Sequence, residues 1–297
     1  MTRAGRAGIA ALVAGAFLLA GCTAAPDADP SGRESAHPAL APDGLEVSLL
    51  QLRADVAPRQ AQVHVVNDTP DTLVVGAVRV EDPRLDGPAA RVVADRTSRV
   101  APGGVVDIRV QLPGVSCPAP ADAAPIVVLE LLDGDGAVTE VEAPAAVALG
   151  FLAPLHEREC RAQALAEAAD VSFTDFEPGA PGEPARLELT ITPTGAAAAT
   201  IVGVQSTNLI GFDAETVDGA FPVDVDAAVG DTTPIVVDLP LVPFRCDPHA
   251  VQEDKRGTIF DVRIVVGGEA GEIERFVGED MRGRILSWVA AWCGFGR

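Results

Sequence analysis

Tyrosine is absent from this chain of 297 residues, and tryptophan occurs only twice. A sugar-binding face normally offers several tyrosine or tryptophan rings, so this scarcity argues against one. Positive charge is also scarce, since 22 lysine and arginine residues oppose 43 aspartate and glutamate residues and Lys255 is the only lysine. The net charge of −21 would repel nucleic acid and anionic lipid headgroups, so we expect no nucleic-acid partner.

The sequence contains no GxSxG nucleophile motif and no HExxH metal motif. No serine–histidine–aspartate or cysteine–histidine arrangement has local support, because the histidines are scattered at His37, His64, His156 and His249. We therefore predict no catalytic residue, no cofactor and no metal ligand, and we predict that the protein is not an enzyme.

The N-terminus has the features of an export signal. A short positive segment, Met1–Arg6, precedes an apolar stretch, Ala7–Leu18, which is too short to span a bilayer comfortably, and Leu19-Ala20-Gly21-Cys22 follows. This run resembles the lipobox of bacterial lipoproteins, a resemblance that covers residues 1–22. It implies a signal peptide over residues 1–21, a diacylated Cys22 at the start of the mature chain, and attachment to the outer face of the cell membrane. Residues 22–44 hold four prolines and no apolar periodicity, which predicts a disordered tether.

The other four cysteines indicate disulfides in an oxidising compartment. Four cysteines allow three pairings. The sequence contains an internal duplication, and each of its two copies carries one pair of cysteines at equivalent positions. We therefore predict the bridges Cys117–Cys160 and Cys246–Cys293. A zinc site is the alternative, but no two of these cysteines have the short spacing that such sites use.

The duplication is visible outside the cysteines as well. Phe260, Val262 and Ile264 match Val127, Leu129 and Leu131 at an offset of 133, which also relates Cys160 to Cys293. We therefore predict two tandem domains, residues 45–160 and 161–297, which we call the first repeat and the second repeat.

Each repeat contains about seven short alternating segments separated by turn signals, which indicates an all-β fold of two β-sandwiches. Each should end in a short helix, over residues 154–168 and 280–293. The repeats resemble immunoglobulin-like or fibronectin-like domains, although both cysteines come late in the repeat. The whole chain resembles two-domain envelope lipoproteins of high-GC Gram-positive bacteria, a resemblance that implies no activity.

Two acidic segments are candidate cation sites with simpler explanations. Asp133-Gly134-Asp135-Gly136 has alternating aspartates but leads directly into a strand, which favours a hairpin turn over a calcium loop. A looser acidic run in the second repeat is more typical of a solvated loop; its members are Asp213, Glu215, Asp218, Asp224 and Asp226.

Trp292 is the one aromatic residue that the duplication leaves unexplained. Trp288 aligns with Leu155 and fits a helix stripe that packs on the sandwich, whereas Trp292 aligns with Glu159. Trp292 is therefore a possible interaction residue, and its replacement by glutamate should leave the fold intact.

These features predict a membrane-anchored, non-catalytic binding or scaffolding module whose partner is an envelope protein or glycan. The alternative is a solute-binding protein or a hydrolase with a site assembled between the two domains. A deep cleft lined by convergent charged groups would favour the alternative.

Overall fold

The computed structural model describes residues 38–120, 123–253 and 256–295. The predicted signal peptide, Cys22 and the tether as far as residue 37 lie outside these ranges. No helix within them is both long enough and apolar enough to cross a bilayer.

Among the described residues, ten strands and one short helix precede the helix that links the repeats. They are β1 (Ala39–Leu40), β2 (Leu45–Leu50), α1 (Arg53–Val56), β3 (Gln60–Asn67), β4 (Leu73–Glu81), β5 (Ala89–Arg91), β6 (Ser98–Val100), β7 (Gly104–Gln111), β8 (Ile126–Leu132), β9 (Val138–Pro144) and β10 (Ala146–Val147). A short 3-10 turn, Ala148–Gly150, follows.

The linking helix and the second repeat complete the described chain. Their elements are α2 (Leu152–Ala168), β11 (Ala169–Glu177), β12 (Ala185–Pro193), β13 (Ala199–Gln205), β14 (Ile210–Phe212), β15 (Ala220–Ala227), β16 (Ile235–Pro243), α3 (Pro248–Glu253), β17 (Ile259–Val266), β18 (Glu269–Phe276) and α4 (Glu279–Trp292).

The two repeats share one strand order, as an internal duplication requires. In the first repeat, β2–β3–β7–β5 forms one layer and β9–β8–β4–β6 forms the other. In the second repeat, β11–β12–β16–β14 and β18–β17–β13–β15 occupy the same places. The described parts of the repeats differ in two respects. Strand β5 pairs with both β7 and β4 and joins the two layers, whereas β14 pairs with β16. The first repeat also has the parallel edge strands β1, beside β9, and β10, beside β2. The chain is therefore an all-β protein of two tandem β-sandwiches.

A β-bulge occurs at the same place in both repeats. The pairing of β4 with β8 shifts register between Val75 and Val78, and the pairing of β13 with β17 shifts between Ile201 and Gly203. A bulge leaves backbone groups unpaired and bends the strand. In the first repeat these groups have a partner in an arginine described below.

Each repeat has its own hydrophobic core. Strand β12 alternates strictly, so Leu187, Leu189 and Ile191 are fully buried while the residues between them are partly exposed. One buried cluster runs from Leu45 to Leu155 and the other from Leu165 to Val289. Each large apolar side chain that is buried in this way contributes about 1.5–3 kcal/mol.

Helix α2 belongs to both cores. Leu152 and Leu155 near its start are in the first cluster, and Leu165 and Ala168 near its end are in the second. The sequence-predicted boundary between residues 160 and 161 thus falls inside a continuous helix.

Both predicted disulfides are present. Cys117–Cys160 joins the chain after β7 to the middle of α2, with 5.7 Å between the Cα atoms. Cys246–Cys293 joins the chain after β16 to the end of α4, with 5.3 Å between the Cα atoms. The bridges occupy equivalent places, and each attaches a helix to its own sandwich.

The predicted tether is too long at its C-terminal end. Ala39 and Leu40 form a strand that pairs in parallel with Val141 and Glu142 of β9. Both β1 side chains are exposed, so the strand is held by backbone hydrogen bonds and leaves no hydrophobic pattern in the sequence. Helices α1 and α3 were not predicted either, since both are too short for a clear periodic signal.

Candidate functional site

A pocket of about 520 Å³ in the first repeat is lined by three arginines. It lies where β5, β6 and the chain between them fold over β7 and β3. Arg91 ends β5, Arg96 is in the connecting segment and Arg109 is in β7. Such a concentration of positive charge is unexpected on a chain whose net charge is −21.

Arg91 is buried, with only 8% of its surface exposed. Its guanidinium donates hydrogen bonds to the carbonyl oxygens of Val75 and Gly76 at 3.3 and 2.5 Å and to the Ser98 hydroxyl at 2.8 Å. The first two acceptors belong to the β4 bulge. Arg91 therefore fastens the bulge to β5 and β6, which gives it a structural role beside any role in binding.

The charge of Arg91 has no carboxylate partner among the described residues, and neither has that of Arg96. Burial lowers the pKa of Arg91, and the nearby positive charge of Arg96 lowers it further. An arginine stays protonated all the same. Two guanidinium groups that repel each other beside one pocket would be stabilised by an anion placed between them.

The charge of Arg109, in contrast, is already balanced. Arg109 Nε lies 3.3 Å from the Oδ1 atom of Asp55, a buried carboxylate that also accepts from Gln62 at 2.6 Å. Asp107, at the pocket wall, lies 2.7 Å from His64. Arg91 and Arg96 are therefore the two pocket arginines that have no carboxylate partner among the described residues.

The second repeat does not reproduce this arrangement. In the first repeat, Gln62 lies opposite Arg109. At the same register position of the second repeat, two acids replace them, with Glu188 opposite Asp238. Arg186 pairs with both acids there, at 3.3 and 2.8 Å. The arginine pocket is a specialisation of one repeat.

A second group of polar side chains surrounds the first disulfide. Cys117, His156 and Cys160 bring their ligand-type atoms within 4.8 Å of one another, the one such cluster among the described residues. The two sulfur atoms are bonded to each other, so they offer no thiolate to a metal ion. His156 Nε2 lies 2.9 Å from the Ser116 carbonyl oxygen and 3.2 Å from Cys160 Sγ.

The acidic candidates have local explanations. Asp133 Oδ1 accepts from the backbone amides of Asp135 and Ala137 at 2.9 and 2.8 Å, so this carboxylate closes the β8–β9 hairpin. In the acidic run of the second repeat, Asp226 accepts from the Thr200 hydroxyl at 2.6 Å.

Trp292 is half-buried at the end of α4. Its ring packs edge to face on Trp288 at 5.6 Å between centroids and also contacts the second hydrophobic cluster. Packing therefore accounts for part of its position. From this contact we expect replacement by glutamate to weaken the fold, where the sequence alone predicted no effect. Its possible interaction role stays a prediction.

The region where α2 meets the second repeat holds an open depression of about 540 Å³. Arg161 from α2 donates to the Glu272 carbonyl oxygen at 3.2 Å, and Arg263 lies 3.5 Å from the Glu272 carboxylate. No cysteine, histidine, serine or threonine of the described part of the chain lines the depression. The alternative of a solute-binding protein or a hydrolase with a site assembled between the two domains stays a prediction.

Sequence reasoning missed the pocket because Arg91 and Arg96 belong to no motif and lie outside the segments from which the duplication was recognised. One signal was present: Arg91 occupies an inward position of an alternating stretch, Ala89-Ala90-Arg91, where an apolar residue would be expected.

No protein-family model matches the chain, and no curated protein sequence matches it. Among solved structures, it is similar to the Pseudomonas aeruginosa CupB2 chaperone, with 13% identity over 78% of this chain and 98% of that chain and a TM-score of 0.19. It is also similar to the calcium-binding domain CBD12 of CALX1.1, with 13% identity over 76% of this chain and 79% of that chain and a TM-score of 0.19. A protein of unknown function from Porphyromonas gingivalis W83 matches with 15% identity over 78% of this chain and 98% of that chain and a TM-score of 0.21. Likenesses this distant carry no argument about what the chain does.

Proposed function

We propose that this protein is a membrane-anchored, non-catalytic envelope lipoprotein that binds an oxyanion-bearing partner through the arginine pocket of its first repeat. The observation that carries the binding role is that Arg91 and Arg96, two arginines without a carboxylate partner among the described residues, line one cavity. Arginine forks bind carboxylate and phosphate groups through two parallel hydrogen bonds. Arg96 would supply such a fork, and Arg91, whose Nη atoms already donate to Val75, Gly76 and Ser98, would add its positive charge. Either group of an envelope protein or glycan would suit the pocket.

The volume of the pocket supports a ligand of limited size. About 520 Å³ lies within the range of pockets that hold small molecules or a few residues of a larger partner. The buried Arg91 is held in place by the β4 bulge, whereas Arg96 is exposed. One fixed and one exposed guanidinium favour capture of an anionic group over chemistry on it.

Anchoring rests on the lipobox-like run that ends at Cys22 and on the two disulfides, which are typical of exported proteins. Cys22→Ser should release the protein from the membrane fraction or leave it unprocessed. A processed protein that stays in the membrane fraction after this change would refute the anchor.

Titration with inorganic phosphate and with acetate, followed by the arginine Nε–Hε signals in NMR, tests the binding role. The signals of Arg91 and Arg96 should shift saturably with at least one of the two anions. Arg96→Gln should weaken this binding about tenfold, in line with the loss of one charge-assisted hydrogen bond to the ligand. Arg99→Gln provides the matched control, because Arg99 is exposed in β6 and does not line the pocket.

Equal affinities of the Arg96→Gln and Arg99→Gln variants, or shifts that never saturate, would remove the pocket from the proposal. A hydrolytic or transfer activity in the purified protein would overturn the non-catalytic assignment.

A further inference from the structure

The two disulfides of this chain have different neighbours. His156 lies one helical turn before Cys160 in α2, and its Nε2 atom is 3.2 Å from Cys160 Sγ. The residue one turn before Cys293 is Val289, which is fully buried in the second core. The repeats therefore contain a disulfide with an imidazole beside it and an equivalent disulfide without one.

The hydrogen bond of His156 fixes the position of its proton. The Ser116 carbonyl oxygen, 2.9 Å from Nε2, can only accept, so Nε2 carries the hydrogen. The same Nε2 atom lies 3.2 Å from Cys160 Sγ, within reach of a second hydrogen bond that shares this N–H group. A negatively charged sulfur at this place would be a far better acceptor than the disulfide is.

The two cysteines of the Cys117–Cys160 bridge also differ in exposure. Cys117 is exposed in the loop after β7, whereas Cys160 is half-buried in α2. A thiol from solution can reach Cys117 more easily, and the sulfur it would displace is the one beside His156. Cys246 and Cys293 show the same exposed and half-buried arrangement, so exposure does not distinguish the bridges.

We propose that Cys117–Cys160 is a thiol–disulfide exchange site, with Cys117 as the attacked sulfur, Cys160 as the leaving sulfur and His156 as the hydrogen-bond donor that stabilises the leaving thiolate. Its reaction partners are low-molecular-weight thiols. The second bridge, Cys246–Cys293, is the more slowly exchanging structural counterpart.

The exchange is balanced as follows. A thiolate attacks Cys117 Sγ and forms a mixed disulfide with it, while the Cys117–Cys160 bond breaks and its electron pair leaves on Cys160 Sγ. A second thiolate attacks the sulfur of the first reagent molecule and releases the Cys117 thiolate. Two reagent thiols are thereby oxidised to one disulfide, one protein disulfide is reduced, and both protein thiolates can take protons from water.

Reduction of the full chain by dithiothreitol, with timed alkylation and peptide mapping, measures both bridges in one sample. Cys117–Cys160 should open about tenfold faster than Cys246–Cys293, because a hydrogen bond to a charged sulfur is worth about that factor. His156→Val, which copies the residue of the second repeat, should slow the first bridge towards the rate of the second. His156→Gln keeps an N–H donor and should retain part of the difference.

A second measurement needs no variant. Glutathione at limiting concentration should form its mixed disulfide on Cys117 when the products are trapped and mapped. Glutathione on Cys160, or equal opening rates of the two bridges in the unaltered protein, would overturn the assignment. An unchanged rate in a folded His156→Val variant would remove His156 from it.

Discussion

Arg59 and Glu159, 100 residues apart in the chain, form a two-pronged ion pair that attaches α2 to the first sandwich. Arg59 Nη2 lies 2.7 Å from Glu159 Oε2, and the same guanidinium donates two hydrogen bonds to the Pro113 carbonyl oxygen. Arg59 has a φ of 56°, a left-handed conformation that is unfavourable for a residue with a side chain. The ion pair and the carbonyl contacts help to hold it there.

The second repeat has apolar residues in these two places. Ala185 of the second repeat takes the place of Arg59. Arg59 lies beside Leu112, and Ala185 lies beside Leu241 at the same register position. Glu159 corresponds to Trp292 through the offset that relates the closing cysteines. An ion pair fastens α2, whereas an indole packed on the core fastens α4.

Glu159→Gln should lower the free energy of unfolding by about 1 kcal/mol, because the half-buried pair loses its charge but keeps one acceptor. Glu157→Gln changes an exposed glutamate on the same helix and should have little effect. Urea denaturation of both variants measures the difference. Equal stabilities would mean that the ion pair contributes nothing to docking of the helix.

Trp292→Glu should destabilise the protein by about 2 kcal/mol or more, since a half-buried indole and its contact with Trp288 are lost. Trp292→Phe should recover much of this loss. With Trp288 as the only remaining tryptophan, its fluorescence maximum should shift to longer wavelength in the glutamate variant as water reaches the ring. Unchanged stability and fluorescence would instead support a role for Trp292 in binding alone.

Asp261 should make stability fall as pH rises. Burial raises the pKa of Asp261, and the carboxylates of Glu274, directly opposite in β18, and Glu272 raise it further. The unfolded chain therefore loses this proton at lower pH than the folded chain, so ionisation favours unfolding. Asp261→Asn should be more stable than the unaltered protein at neutral pH, and this gain should vanish below the usual pKa of an aspartate.

Glu140 provides a control of opposite sign. A hydrogen bond from Arg79 lowers the pKa of Glu140, so its contribution is present at neutral pH and is lost as the pH falls. Glu140→Gln should therefore destabilise at neutral pH and have little effect in acid. Denaturation curves of Asp261→Asn and Glu140→Gln at neutral and at acid pH measure both effects. A change of stability in the same direction for the two variants at neutral pH would contradict this reasoning.

Replacement of both Cys246 and Cys293 by serine should cost about 4 kcal/mol, since the bridge closes a segment of 47 residues. The second repeat should then unfold at a lower temperature than the first, as followed by hydrogen exchange of β12 and β3. Equal protection of these two strands would show that the bridge contributes little.

The strands and closing helices were predictable because their sequence periods are strong. Residues 154–168 and 280–293 were expected to be helical, and α2 and α4 cover Leu152–Ala168 and Glu279–Trp292. The disulfides followed from the duplication, since equivalent cysteines in each repeat leave one consistent pairing. These features depend on patterns within a few residues or on a repeat that is visible in the sequence.

The pocket depends on neither. Arg91 reaches carbonyl oxygens of a bulge 15 residues earlier in the chain, and Arg96 approaches it only because the segment after β5 folds back. Neither the bulge nor this turn leaves a periodic signal. The exchange site could not be predicted for a similar reason. A role for His156 becomes visible only when the Ser116 carbonyl oxygen and Cys160 Sγ are known to lie close to its Nε2 atom.

The single helix shared by the two cores also affects how the repeats could act together. Seventeen residues in helical form span about 25 Å, and both ends of α2 are embedded in packed side chains. Two sites on one partner would therefore be met at a set spacing, without the loss of freedom that a slack connection imposes on bivalent binding. Partner epitopes at another spacing would engage one repeat at a time. The length of α2 would therefore determine which pairs of epitopes the two repeats can bind together.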